Sequence, residues 1–195
     1  MKNIMKNIMI DVDLTVVDVV KDWVLWYENI TGHDISKACV REVYNLQDLM
    51  VEHDDPMSFW RQPNLYDNEI PINGSVEVIK RLKTKFNIIF VSSCLPEHES
   101  SKRKFLDKFF GKVPFISTSS KEFVRADFFI DDYRGYLDAV NENKTECFQI
   151  QTKYNKVETD LNIYPNGNWY DFEKFVEKSR RDKKWGKLKR EFKKS

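Results

Sequence analysis

A chain of 195 residues with 41% hydrophobic and 14% aromatic side chains can bury one sizeable core without staples, and is neither a disordered nor a fibrous composition. Three cysteines without CxxC spacing and three histidines exclude a disulfide framework and a structural zinc site, and favour a reducing compartment. The net charge of +1 hides an asymmetry: from Lys174 onward eleven Lys or Arg face three acids, a balance of +8 that leaves −7 for the rest.

The opening Met-Lys-Asn-Ile-Met-Lys-Asn-Ile-Met has lysines, but Asp11 and Asp13 cut off any apolar region of a signal peptide. Met5 offers an alternative start. No apolar run approaches the roughly 18 residues of a membrane span, so the expectation is a soluble, cytoplasmic protein without membrane association. Residues 7–12 read as a buried-type strand that delivers Asp11 and Asp13 to its tip. Residues 17–72 hold no convincing strand. They carry an amphipathic stretch (17–30) and the aromatics Trp23, Trp26, Tyr27, Tyr44, Phe59, Trp60 and Tyr66, and are expected to form a small helical cap. Pro71 and Gly74 mark the return to the core.

Beyond that point strands and helices alternate. Residues 75–85 read as a helix, with Val76, Ile79 and Leu82 recurring, and 87–91 as the second strand. Residues 99–110 read as a charged helix closed by Gly111. Residues 113–116, 127–130 and 146–150 read as further strands, with a short helix over 136–142. From Tyr170 the chain is helical and then strongly basic. Alternation of this kind predicts an α/β fold: a Rossmann-like parallel sheet with helices on both faces and the cap inserted after the first strand. The expected domains are a core over 1–16 and 73–170, a cap over 17–72, and a C-terminal helix and basic tail over 171–195.

Four polar elements fall at strand ends in chain order: Asp11 and Asp13, then Ser92 and Ser93, then Lys121, then Asp131 and Asp132. Individually they are ordinary turn and surface residues. Together they suit phosphoryl transfer through an aspartyl phosphate. One carboxylate attacks phosphorus, and a second protonates the leaving oxygen and later activates water. A hydroxyl and an ammonium hold the phosphoryl oxygens, and Mg²⁺ between carboxylates offsets a repulsion of about 4 kcal/mol between unit charges 4 Å apart at an effective dielectric of 20. Cys94 has no histidine arranged beside it and is expected to be a small buried thiol.

The order Asp-x-Asp-x-Thr, a hydroxyl after the second strand, a lysine, then Asp-Asp resembles the haloacid dehalogenase superfamily of phosphohydrolases, and within it the 5'(3')-deoxyribonucleotidases. The likeness runs from about Met9 to Ala139. It includes Ser58-Phe59-Trp60, Asn64-Leu65-Tyr66, Pro71-Ile72-Asn73-Gly74, Ile89-Phe90-Val91-Ser92-Ser93 and the step from Lys121 to Asp131-Asp132. The resemblance implies Asp11 as nucleophile and Asp13 as general acid/base, with Ser92, Ser93 and Lys121 on the phosphate. It implies Mg²⁺ on Asp11, the Asp13 backbone carbonyl and Asp132, with Asp131 behind or as an alternative ligand. Trp60 stands where an aromatic meets the base.

The chain departs from the family where Leu14 replaces a usual Gly, Val19 a base-stacking Phe and Cys94 a common Pro. Trp60 and Tyr44 are then candidates for the stacking role. The expected activity is a Mg²⁺-dependent phosphomonoesterase acting on small nucleoside monophosphates, and the family implies a homodimer. Two alternatives stand beside it: a phosphatase of another small phosphomonoester, and a nucleic-acid-associated protein using the tail Arg180 to Arg190 with a vestigial site.

Overall fold

The structure, a computed structural model, describes residues 5–32, 34, 55, 58–155 and 163–192, with side chains described as far as Arg181. Among the described residues six strands form one wholly parallel sheet: β1 (Asn7–Ile10), β2 (Asn87–Ser92), β3 (Phe115–Ser117), β4 (Phe128–Asp131), β5 (Glu146–Ile150) and β6 (Asn166–Gly167). The spatial order is β3-β2-β1-β4-β5-β6. The chain thus winds outward from β1 on one side and returns to start the other half at β4. Crevices for ligands form at that switch, outside the carboxyl ends of the strands.

Side-chain alternation divides the strands between two cores. Ile8, Ile10, Phe90, Phe128, Ile130 and Phe148 point to one face. There they meet α2 (Ser75–Leu82) through Val78 and Leu82, α3 (Pro96–Phe110) through Phe105 and Leu106, and α5 (Trp169–Phe192) through Phe172 and Val176. Met9, Val91, Phe129 and Cys147 point to the other, where α4 (Arg134–Asn141) covers them with Leu137 and Val140. Strands covered on both faces read as unbroken apolar runs. Each fully buried Phe or Ile contributes roughly 1.5–3 kcal/mol.

Several boundaries differ from expectation for local reasons. β1 ends at Ile10, not Val12, because the Val12 carbonyl turns to accept the N–H groups of Thr15, Val16 and Val17. Helix α3 starts at Pro96, three residues early, since Pro needs no N–H partner at a first turn. Helix α4 likewise begins at Arg134, and β3 is shifted to Phe115–Ser117. The amphipathic stretch after β1 forms α1 (Val20–Thr31), closed by Gly32 at φ 71. The helix thus begins three residues late, with Val17 bridged to Pro71 instead. β6 was not expected from the sequence.

A third cluster, Leu14, Val20, Trp23, Tyr27, Phe59 and Tyr154, sits beyond the carboxyl end of the sheet. Residues 35–54, with Cys39, Tyr44 and His53, lie outside the described residues, as does His33. Among the described residues no helix is long and apolar enough to cross a membrane. Cys94 and Cys147 are free thiols; Cys94 is only half-buried, less enclosed than expected.

Candidate active site

Asp11 leaves β1 with its amide on the Ile130 carbonyl at 3.0 Å, so its side chain emerges between β1 and β4. The following loop is folded tightly on the Val12 carbonyl. It is anchored by Trp169, which donates from Nε1 to the Thr15 carbonyl at 3.0 Å. Thr15 in turn donates to Asp11 Oδ2 at 3.3 Å. Lys121, in a single 3-10 turn before β4, places Nζ 2.5 Å from Asp11 Oδ1 and 2.7 Å from Asp131 Oδ2. The other Asp131 oxygen accepts the Tyr133 amide at 2.8 Å, and the Tyr136 ring lies 4.0 Å from Lys121 Nζ.

This half of the site is nearly dry. Burial pushes the Asp11 carboxyl up to about 7; Lys121 opposes the rise, while Asp131 and Asp13 add to it. Burial likewise raises Asp131 against the pull of Lys121. For Lys121 burial acts downward, but the two carboxylates outweigh it and hold the ammonium well above its ordinary value.

Asp13 points to a different set of partners. Its Oδ1 accepts the Tyr66 hydroxyl at 2.6 Å, and its Oδ2 accepts Lys102 Nζ at 2.7 Å and the Ser92 hydroxyl at 3.2 Å. Lys102 also donates to Ser92 Oγ at 2.9 Å and to the Ser93 carbonyl at 3.3 Å. Burial acts to raise the Asp13 carboxyl, but the Lys102 ammonium and the Tyr66 hydrogen bond hold it below the ordinary carboxylate value. Ser92 is therefore buried and engaged, while Ser93 is exposed at the rim.

Lys102 and Tyr66 were not foreseen as site residues. Lys102 sits on the buried stripe of α3 with His98, Ser101, Phe105 and Leu106. A charge on an apolar stripe is the signal that could have marked it. Tyr66 is held from both sides: Ser101 Oγ accepts its amide at 2.9 Å, and Ser101 donates to Asp67 at 2.7 Å.

Asp11, Asp131 and Asp132 each offer a carboxylate oxygen, all within 4.8 Å of one another. Three carboxylate oxygens brought this close are hard donors of the kind a hard divalent cation takes. Asp132 is fixed through its carbonyl, which accepts Gln149 Nε2 at 3.1 Å and Asn155 Nδ2 at 3.0 Å.

These groups converge on a cleft of about 470 Å³. Of the expected residues it gathers Asp11, Asp13, Ser92, Ser93, Lys121, Asp131 and Asp132 at its polar end, with Val19 and Trp60 on its apolar wall. Tyr133 and Tyr136, which were not expected, line it as well. Trp60 packs edge-on to Phe59 at 5.0 Å, so it serves the cleft wall and the local core together. Tyr44 lies outside the described residues. His98 supports the wall from behind: Nδ1 donates to the Trp60 carbonyl at 2.6 Å, and Nε2 accepts the Leu95 amide at 3.3 Å. That pair of partners selects the neutral ring, and burial depresses its pKa. The Cys94 thiol is pushed up by burial, unlike a nucleophilic thiolate.

Leu14 explains one departure noted in the sequence. Its φ is 58, in the left-handed region where a side chain costs an L residue roughly 1–2 kcal/mol. Burial of the Leu14 side chain, at 5% exposure, contributes roughly 1.5–3 kcal/mol and offsets that cost.

Residues 4–182 match the family model described as 5' nucleotidase, deoxy (pyrimidine), cytosolic type C protein (NT5C). The chain is 26% identical over 137 residues to a 5'(3')-deoxyribonucleotidase of Bacillus subtilis (strain 168), covering 65% of this chain and 76% of that protein. A 5'(3')-deoxyribonucleotidase of Bacillus phage SPbeta matches to the same extent. Among solved structures, a haloacid dehalogenase-like family hydrolase from Streptococcus pneumoniae superimposes with a TM-score of 0.63 at 11% identity, over 88% of this chain and 97% of the other. The Bacillus subtilis protein YfnB, described as a HAD-hydrolase and bound to magnesium, superimposes with a TM-score of 0.58 at 12% identity, over 88% and 98%. At such identities the structural likeness bears on the fold alone.

Proposed function

The chain belongs to the deoxy (pyrimidine) cytosolic type C 5' nucleotidase family and is a HAD-type nucleotide phosphatase; on that premise we propose that it hydrolyses (deoxy)ribonucleoside monophosphates with Mg²⁺ through a phosphate ester of Asp11. The observation that carries this reading is the convergence of Asp11, Asp13, Ser92, Lys121 and Asp132 on one cleft with an apolar wall.

Asp11 is the nucleophile. Lys121 orients it and takes a phosphoryl oxygen as attack proceeds in line, and Ser92 and Ser93 hold the remaining oxygens, Ser92 by turning its hydroxyl from Asp13. As the ester bond to the nucleoside breaks, Asp13 gives its proton to the departing oxygen. The bound phosphate dianion beside Asp13 favours its protonated form, against the pull of Lys102. Water then attacks phosphorus, its proton passes to Asp13, and the Asp11 carboxylate is restored with release of phosphate. Mg²⁺ would be held by the carboxylates of Asp11 and Asp132 and the Asp13 carbonyl, with Asp131 behind, and when bound would supply the positive charge that offsets repulsion between two anions. Val19 and Trp60 receive the organic part of the substrate.

The paired exit and return of the chain support residues 17–72 as an inserted cap on a core over 1–16 and 73–170, with 171–195 as its C-terminal extension: Val17 is bridged to Pro71, and the Ile72 amide donates to the Val16 carbonyl at 2.8 Å. Acid quenching during turnover of a ³²P-labelled nucleoside monophosphate is expected to trap a label that hydroxylamine releases and that maps to the Asp11 peptide. Steady turnover with no trapped label, or a label on another residue, contradicts the mechanism.

A further inference from the structure

Leu14 holds a backbone conformation that an L side chain rarely adopts, which is retained where the side chain has a task. It lines the cleft at Asp11 and Lys121. It also lines a second cavity of about 280 Å³, walled by Ile150 at the end of β5, by Thr152, Lys153 and Tyr154 after it, and by Trp169 at the head of α5. Leu14 is the one residue common to both linings among the described residues. The far wall is fixed, since Asn155 Nδ2 joins the carbonyls of Ile150 and Asp132 at 2.8 and 3.0 Å. Its polar groups include the Lys153 ammonium, 3.7 Å from Asp18, and the Tyr154 hydroxyl, which donates to Asp18 at 3.3 Å.

We propose that Leu14 determines specificity as a wedge that divides one crevice into two, excluding phosphomonoesters whose organic group carries a long arm. This rests on the phosphomonoesterase reading above. The chamber behind the wedge suits an arm of a few bonds ending in a carboxylate that faces Lys153. Replacing Leu14 by a smaller residue joins the two spaces, and glycine also removes the backbone conflict.

The test is phosphate release by the full chain from two ester pairs. One is phenyl phosphate and 4-(3-carboxypropyl)phenyl phosphate; the other is dUMP and its 5-(2-carboxyvinyl) derivative. Leu14→Gly is expected to raise the long-to-short ratio of kcat/KM about tenfold or more, and Leu14→Ala by less. Adding Lys153→Glu to either is expected to remove most of the gain. An unchanged ratio overturns the wedge, as does an equal rise for both esters, which marks a loosened loop. If the Leu14 variants do not fold, Lys153→Glu alone decides: the wedge leaves its ratio at the wild-type value, and a fall shows that the arm already enters. Wild-type hydrolysis of the aryl esters but not the nucleotides overturns the nucleotide substrate and leaves the wedge tested on the aryl pair. Hydrolysis of none overturns both.

Discussion

Asp11 and Asp13 stand one residue apart, yet they occupy two differently built halves of the cleft. The Asp11 half is made by the sheet: Asp11 directly follows β1, Asp131 ends β4, and the turn before β4 supplies Lys121. The Asp13 half is made across the fold, by Tyr66 from the segment returning to the core and by Lys102 from α3. In the first half one ammonium serves two nearly dry carboxylates, and Asp11 rises to about 7. In the second an ammonium, a phenol and a serine serve one carboxylate, which stays low. Position in sequence does not set a carboxylate's character; the direction in which it leaves the strand does, because that selects its partners.

The largest effect is expected in the Asp11 half. Lys121→Met leaves Asp11 and Asp131 buried without their cation, and is expected to cost about 3–5 kcal/mol of unfolding free energy in EDTA, together with loss of phosphate release. Urea denaturation checks the first and a phosphate assay the second; an unchanged midpoint would mean that the pairing adds nothing. Lys102→Met should cost less, roughly 2–3 kcal/mol, because the Asp13 side chain retains Tyr66 and is 32% exposed. Its activity loss should fall on kcat rather than KM, a split that steady-state kinetics reads. Tyr66→Phe removes one hydrogen bond to a charged group and is expected to cost about 1–2 kcal/mol.

The smallest effect is a pH slope. His98 is neutral in the fold with a pKa below its ordinary 6.5, so the unfolded chain binds the extra proton first. Its contribution is full above pH 6.5 and declines as pH falls from there to the folded pKa. Asp13 behaves in the same sense but in a lower window, below 3.8. Asp11, at about 7, titrates in the same range with the opposite sign, so the readout is the difference in thermal midpoint between wild type and His98→Asn, which should narrow as pH falls from 6.5 toward 5; a difference that does not vary with pH would remove the assignment.

The same division governs what the sequence makes legible. Continuous apolar runs such as Ile8-Met9-Ile10 and Phe128-Phe129-Ile130 announce central strands, and the acids at their tips announce the switch-point site. The grip on Asp13 is not written locally. Lys102 is one lysine in a helix that also carries Arg103, Lys104 and Lys108, and only the stripe His98, Ser101, Phe105, Leu106 shows that it faces inward. β6 is two residues, Asn166 and Gly167, whose composition favours a turn. It is a strand because β5 presents an open edge, with the Gln149 amide on the Pro165 carbonyl at 2.9 Å. Leu14 lies between the cases: its departure from the family is visible in sequence, whereas the strained backbone behind it needs the loop geometry.

The most direct test of the central claim is phosphate release from a panel of nucleoside monophosphates and simple sugar phosphates by wild type and Asp11→Asn, with Mg²⁺ and with EDTA. The site described here requires wild-type release from nucleoside monophosphates in Mg²⁺, little in EDTA, and a loss of at least about 10³-fold in Asp11→Asn with the fold intact. Continued hydrolysis by a folded Asp11→Asn chain would contradict the account.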